Sequence, residues 1–193
     1  MKEAYIEEKK FEKYDFKNNP LEKGEYGYCN FINCDFSNVD MSDCIFTDCE
    51  FSGCNLSLAI LTKTAFRDIK FRDCKMLGLY FDSCNKFGLS FSFENCILNH
   101  STFYRTKIKK TTFKNTQLRE TVFTECDLTE SLFDNCDLTS ATFDHTIIEK
   151  ADFRTSYNYT IDPEINRIKK AKFSISGISG LLEKYDIIID RTI

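Results

Sequence analysis

Residues 126–140 read Cys126-Asp127-Leu128-Thr129-Glu130-Ser131-Leu132-Phe133-Asp134-Asn135-Cys136-Asp137-Leu138-Thr139-Ser140. The stretch divides into three units of five. Each has a small residue, a large apolar residue two positions later, and polar residues at its end. Stepping outward by five from Leu128, Phe133 and Leu138 gives Leu98, Phe103, Ile108, Phe113, Leu118 and Phe123 before them, and Phe143, Ile148 and Phe153 after. An earlier series runs from Phe31 through Phe36, Met41, Phe46, Phe51, Leu56, Leu61, Phe66, Phe71, Met76 and Phe81 to Lys86 and Phe91, offset by two residues from the later one. Lys86 is the one centre that is not apolar.

The position two before each centre is constrained as well. It holds all ten cysteines, from Cys29 to Cys136, and otherwise mostly Ala, Ser, Thr or Val, with Ile69, Leu79 and Leu89 as larger exceptions. In extended chain, residues two apart point to one side. The small residue and the centre therefore point inward, and the two polar residues that follow make a corner. A strict period of five leaves no single apolar face on a 3.6-residue helix. A chain that turns every five residues must coil, with coils stacked at about 4.8 Å and their backbones bonded to one another.

Composition agrees with this reading. Nineteen Phe and no Trp indicate one kind of interior slot filled repeatedly. No run of apolar residues is long enough to span a bilayer, and the charged segment Met1–Lys13 lacks a signal peptide's apolar core. The expected location is the cytoplasm, where disulfides are unlikely. The net charge of −4 gives no general attraction to nucleic acid or anionic lipid.

The units Cys126–Glu130, Cys136–Ser140 and Ala151-Asp152-Phe153-Arg154-Thr155 resemble the motif of the pentapeptide-repeat family, with Cys standing for Ala in the first two. That resemblance implies an all-β fold: a right-handed quadrilateral β-helix, four units to a coil, with about six coils and a short C-terminal helix and strand cap. Residues 1–25 are expected to form an N-terminal capping strand or hairpin, in which Lys9 and Tyr14 replace the small column. Residues 26–155 form the β-helix, with a register shift near 86–95, and 156–193 a terminal coil and C-terminal dimerisation segment. Within that segment Ile165, Ile168 and Phe173 suggest a last degenerate coil, Ser179 an N-cap, and Ile187-Ile188-Ile189 a strand. The ending resembles that of Qnr-type members, which pair tail to tail, and implies a homodimer through Ile178, Leu181, Leu182, Tyr185, Ile187 and Ile189.

Catalytic, metal and cofactor sites are not expected. The cysteines follow the core column rather than the C-x₂₋₄-C pairs of a zinc site. His100 and His145 fall at outward corners, and no nucleophile motif or phosphate loop is present. Charge is blocked along the chain. Residues 26–62 hold Asp35, Asp40, Asp43, Asp48 and Glu50 with no Lys or Arg. Residues 63–120 hold twelve basic and five acidic residues, and 121–154 eight acids, among them Glu125, Asp127, Glu130, Asp134 and Asp137, against two bases. The Qnr and MfpA resemblance implies a non-enzymatic protein that mimics DNA and binds DNA gyrase or topoisomerase IV through such acidic surface, without itself binding nucleic acid or membrane. The basic middle block is the wrong sign for a continuous mimic. The alternative is a general scaffold with another bacterial partner.

Overall fold

A computed structural model describes residues 4–190. The chain is an all-parallel β-solenoid. Strands β1 (Ala4–Glu7), β3 (Gly24–Gly27), β5 (Ile45–Thr47) and β7 (Ala65–Arg67) pair along one face. A second face carries β2 (Lys10–Glu12), β4 (Asn30–Ile32), β6 (Glu50–Ser52), β8 (Ile69–Arg72), β9 (Phe91–Glu94), β10 (Thr112–Lys114) and β11 (Leu132–Asp134). The other two faces are held by single bridges, such as Asp35↔Asn55↔Lys75 and Thr102↔Val122↔Thr142. In the regular coils each residue pairs with the one four units further along, as Phe31 does with Phe51.

Centres stack ring on ring. Phe11, Phe31, Phe51, Phe71, Phe93, Phe113, Phe133, Phe153 and Phe173 form one ladder with successive centroids 4.5–5.5 Å apart. Burying each such side chain contributes about 1.5–3 kcal/mol before the entropy of ordering the chain is subtracted. The corner residue adopts a left-handed backbone with near-perfect regularity, as at Asn38, Asp48 and Asn135 (φ 60°, 52° and 52°). Asn and Asp tolerate that region best among residues with a side chain.

The small column does more than fit. Cys49, Cys54, Cys74 and Cys136 donate their thiols to the carbonyls of Tyr26, Phe31, Phe51 and Phe113 at 3.2–3.3 Å. Thr64 and Thr146 make the same bond to Met41 and Phe123 at 2.8 Å. A side chain in this column that can donate gives an interior carbonyl a partner, so Cys, Ser and Thr recur there.

Three expectations change. Residues 4–23 are not a hairpin but a further coil, because β1 and β2 pair parallel with β3 and β4. Among the described residues no coil stacks beneath Lys9 and Tyr14, which leaves room for their larger side chains. The Lys9 ammonium sits 4.7 Å from the Phe11 ring centre and Tyr14 packs on Phe16 at 4.9 Å, so both lie over the first centres of the stack. Next, the register shift precedes Phe91. Phe91 pairs with Ile69 and Phe93 with Phe71, so Phe93 is the centre and Phe91 occupies the small column. The two extra residues lie in the loop 85–90, where Lys86 is exposed and donates to the Arg105 carbonyl at 3.2 Å. Phe87 lies outside the stack. It stands 79% exposed, while Leu89 and Phe91 are buried beside the gap. Finally, Ile165 points outward and Asn166 inward, where Asn166 donates to the Phe143 carbonyl at 3.0 Å.

The C-terminal segment folds back on the last coil. Helix α1 (Ser179–Leu182) follows a 3₁₀ turn capped by Ser174, and Ile178 rather than Ser179 holds the N-cap position of α1, without a side-chain bond. Residues 187–189 form no strand within the chain.

Candidate interaction surfaces

The described residues offer no cluster of His, Cys, Asp and Glu that could hold a metal, and none of their helices is long and apolar enough to cross a membrane. All ten cysteines are free thiols and buried, and burial pushes Cys49, Cys126 and Cys136 up to about 12. Such thiols are poor nucleophiles at neutral pH. His100 and His145 lie at exposed corners.

The acidic residues divide on inspection. Stacking sets side chains from successive coils next to one another, so the basic block is laid against the acidic one. Arg105 meets Glu125 at 2.6 Å, Lys109 meets Asp127 at 3.1 Å, and Arg119 meets Asp137 at 2.6 Å. Glu130 lies between Lys110 and Lys150, at 3.7 and 2.7 Å. In the N-terminal block Lys17 pairs with Asp35, Lys23 with Asp40, and Arg72 with Glu50. The Arg105 guanidinium holds Glu125 below the usual carboxylate range, and Lys150 does the same for Glu130.

Asp127 and Asp137 are corrections to the expected acidic surface, because both are buried. Each accepts the backbone N–H and hydroxyl of the residue two ahead, Thr129 or Thr139. Burial alone would raise the Asp137 carboxyl, but bonds from Thr139, Arg119 and Asn158 outweigh it and hold the group low. The Asp of each Cys-Asp-Leu-Thr unit is thus a corner staple. Asp134 accepts from Thr155 at 2.9 Å. Among the described residues, Asp43 and Asp48 make no ion pair and remain free to meet a partner.

The expected pairing residues lie together at the C-terminal end. Ile178, Tyr185, Ile187 and Ile189 are exposed, whereas Leu181 and Leu182 are half-buried, Leu181 against the core. Ile175 and Ile188, not anticipated from the sequence, are almost wholly exposed. Between this segment and the last coil runs a groove of about 820 Å³ lined by Tyr157, Tyr159, Leu182, Ile187 and Ile189 among others. The segment is anchored by Ile161 N–H to the Gly180 carbonyl at 2.9 Å and by Lys184, which bridges Asp162 and Glu164.

Five-residue units, four to a coil, with stacked Phe centres and left-handed corners define a pentapeptide-repeat solenoid. A sequence model of the family described as "Pentapeptide repeat region" matches residues 25–92 and 90–158, and the chain belongs to that family. Among solved structures it is similar to full-length QnrB1, described as a plasmid-mediated fluoroquinolone resistance protein. The two share 19% identity over 94% of this chain and 99% of QnrB1, with a TM-score of 0.50. A trypsin-treated variant of QnrB1 gives 20% identity, 96% and 98% coverage, and 0.51. HetL, a pentapeptide-repeat protein involved in heterocyst differentiation regulation in Nostoc sp. strain PCC 7120, gives 12% identity, 86% coverage of each chain, and 0.36. At these identities the likeness is one of fold. No curated protein sequence matches the chain.

Proposed function

We propose that this chain is a cytoplasmic, non-enzymatic interaction module that pairs through its C-terminal segment and binds a type II topoisomerase, DNA gyrase or topoisomerase IV, reducing its activity or its poisoning by quinolones. The observation that carries the reading is the fold likeness to QnrB1, which runs nearly end to end through both chains. Pairing is supported by the contrast between the two ends. Lys9 and Tyr14 pack over Phe11 and Phe16 in the first described coil, while apolar side chains stand exposed at the other end. A two-fold contact would cover that end once and leave nothing to propagate. Acidic groups such as Asp43, Asp48, Glu125 and Glu130 would stand in for phosphates.

A specific observation favours a second reading, a general scaffold for another bacterial partner. Seven of the ten acidic residues expected to face a partner already have a basic neighbour on the adjacent coil, which dilutes a DNA-like field. Supercoiling and cleavage-complex formation by a bacterial gyrase, titrated with the purified full chain at low salt, decide between them. Salt-sensitive inhibition, or protection from ciprofloxacin, supports the first reading. No effect at tenfold excess over enzyme leaves the scaffold.

A further inference from the structure

One face of the solenoid changes sign halfway along the rod. It is the face of β1, β3, β5 and β7, continued beyond the loop 85–90 by the bridged series Lys107, Asp127, Ile147 and Arg167. Counted with the corner that closes it, the first half carries five acids, Glu7, Glu8, Glu25, Asp48 and Asp68, against Arg67 alone, a net charge of −4. The second half carries seven bases against Asp127, Glu130 and Glu149, a net charge of +4. Three of those bases are the lysines of 107–110, one is Lys150, and three are Arg167, Lys169 and Lys170. None of the other three faces changes sign along its length.

The acids of the first half have not been neutralised by stacking. All five are exposed, and none makes an ion pair among the described residues. Elsewhere a base stands one coil away from most acids. Here Glu8, Tyr28, Asp48 and Asp68 follow one another along a single corner, so Asp48 and Asp68 stand on adjacent coils about 4.8 Å apart and repel. An opposite charge brought from outside the rod relieves that repulsion. In the second half Lys107, Lys169 and Lys170 likewise lack an acidic partner among the described residues. At the junction of the two halves stands Phe87, 79% exposed, its ring 5.9 Å from the Arg67 guanidinium.

The layout selects a second copy as the occupant. Four coils carry this face before the loop and four after it. A two-fold axis crossing the rod at the loop therefore sets the coils of one copy, in reverse order, on those of the other. Glu7 and Glu8 then meet Lys169 and Lys170 at both ends of the contact, and Asp68 meets Lys110. Asp48 comes opposite Glu130, which Lys110 and Lys150 already hold between them at 3.7 and 2.7 Å. Phe87 meets its own counterpart on the axis, and aromatic side chains are enriched at the centre of interfaces. A partner of one sign would be repelled by one half of the face. At about 4.8 Å per coil and about 15 Å of width, the face offers roughly 600 Å² from each copy, about 1,200 Å² in all, the lower end of specific interfaces.

We infer that this face pairs two copies of the chain side by side and antiparallel, the acidic half of each on the basic half of the other, with Phe87 at the axis. The contact is separate from the C-terminal one and rests neither on it nor on the topoisomerase reading. The test is cross-linking of Lys86→Cys by a short bismaleimide, in the full chain at tens of micromolar. The ten native thiols are buried, and two tails in contact would hold the two introduced thiols roughly 40 Å apart or more. Covalent dimer should form at 0.1 M salt and fall at least fivefold at 1 M, where the screening length drops from about 10 Å to about 3 Å. It should fall at least fivefold when Glu7→Lys and Glu8→Lys are added, and equally when Lys169→Glu and Lys170→Glu are added instead. Mixing these two variants should restore it, because each supplies the charge the other needs at both ends of the contact. Gly180→Ala, which loosens the C-terminal segment, should leave it unchanged. Circular dichroism melts confirm that the variants fold. A yield no higher than that of the chain without Lys86→Cys, insensitivity to the charge reversals, or no recovery on mixing overturns the proposal. So does loss of the cross-link in Gly180→Ala, which would assign the pairing to the tail. A dimer by light scattering that gives no cross-link likewise overturns it and leaves the C-terminal contact standing.

Discussion

Removing the Asp137 carboxylate should damage the fold, although the residue belongs to the acidic block that would meet a partner. Asp137 is 3% exposed and accepts from Thr139 N–H at 3.1 Å, Thr139 hydroxyl at 2.6 Å, Arg119 Nε at 2.6 Å and Asn158 Nδ2 at 3.1 Å. Hydrogen bonds to a charged group contribute about 1.5–3 kcal/mol each, and a buried donor left unpaired costs about 1–3. Arg119 is half exposed and rehydrates when released, so its share is discounted toward the surface value. Asp137→Ala should therefore lose about 2–4 kcal/mol in urea unfolding. Asp43→Ala, at an exposed corner with no ion pair among the described residues, should stay within about 0.5 kcal/mol. Asp137→Asn should fall between, keeping an acceptor for Thr139 but not the charge for Arg119. A loss below about 1 kcal/mol in Asp137→Ala would refute the staple assignment. Equal losses in Asp137→Ala and Asp43→Ala would refute the division of the acids into structural and free.

Acid should weaken the fold: Asp35, Asp40, Asp127, Asp137 and Asp152 are all held below the ordinary carboxylate range. Their contribution is present above the unfolded value near 4 and disappears as pH falls through the lower folded values, so a stability that is flat from about pH 6 to pH 2 would contradict it. Thiol titration of the native protein should label few of the ten buried cysteines quickly and all ten in denaturant; rapid native labelling of most of them would remove the core assignment. Lys86→Leu should change stability by less than about 1 kcal/mol, since the ammonium is outside the stack, and a change beyond about 2 would place it inside. Gly180→Ala would drive a Cβ into the Tyr159 carbonyl, so the C-terminal segment should detach, lowering light-scattering mass if it forms the dimer and raising hydrogen exchange over 175–185 in either case; unchanged exchange would show that the segment is not docked as described.

The coil could be read from the chain because its determinants are local. Alternation of side chains in a short strand and the demand for a left-handed corner are properties of five consecutive residues, repeated. The cysteine column was legible for the same reason, though its second role was not. Size alone explains Cys for Ala, whereas the thiol bond to a carbonyl one coil away, Cys54 to Phe31 for example, exists only after stacking. Lys86 announced a break, but the sequence read the shift as following Phe91. Both Phe91 and Phe93 suit an interior slot, and only pairing with Ile69 and Phe71 on the neighbouring coil distinguishes them.

The candidate surfaces were less legible. Blocks of charge along the chain suggested exposed acidic faces. Stacking of successive coils places Arg105 on Glu125 and Arg119 on Asp137, so much of that charge is neutralised by the coil next door. Lys9 and Tyr14 looked like a lost pattern and pack over Phe11 and Phe16, contacts that exist only once the first coil has folded. From the sequence alone came the five-residue period, the inward columns, the corners and the family they define, because each is set within one or two units of chain. Which acids are free, where the two extra residues leave the rod and how Glu8, Tyr28, Asp48 and Asp68 come to line one corner were decided by tertiary structure, because each depends on side chains a full coil apart in the chain being brought next to one another.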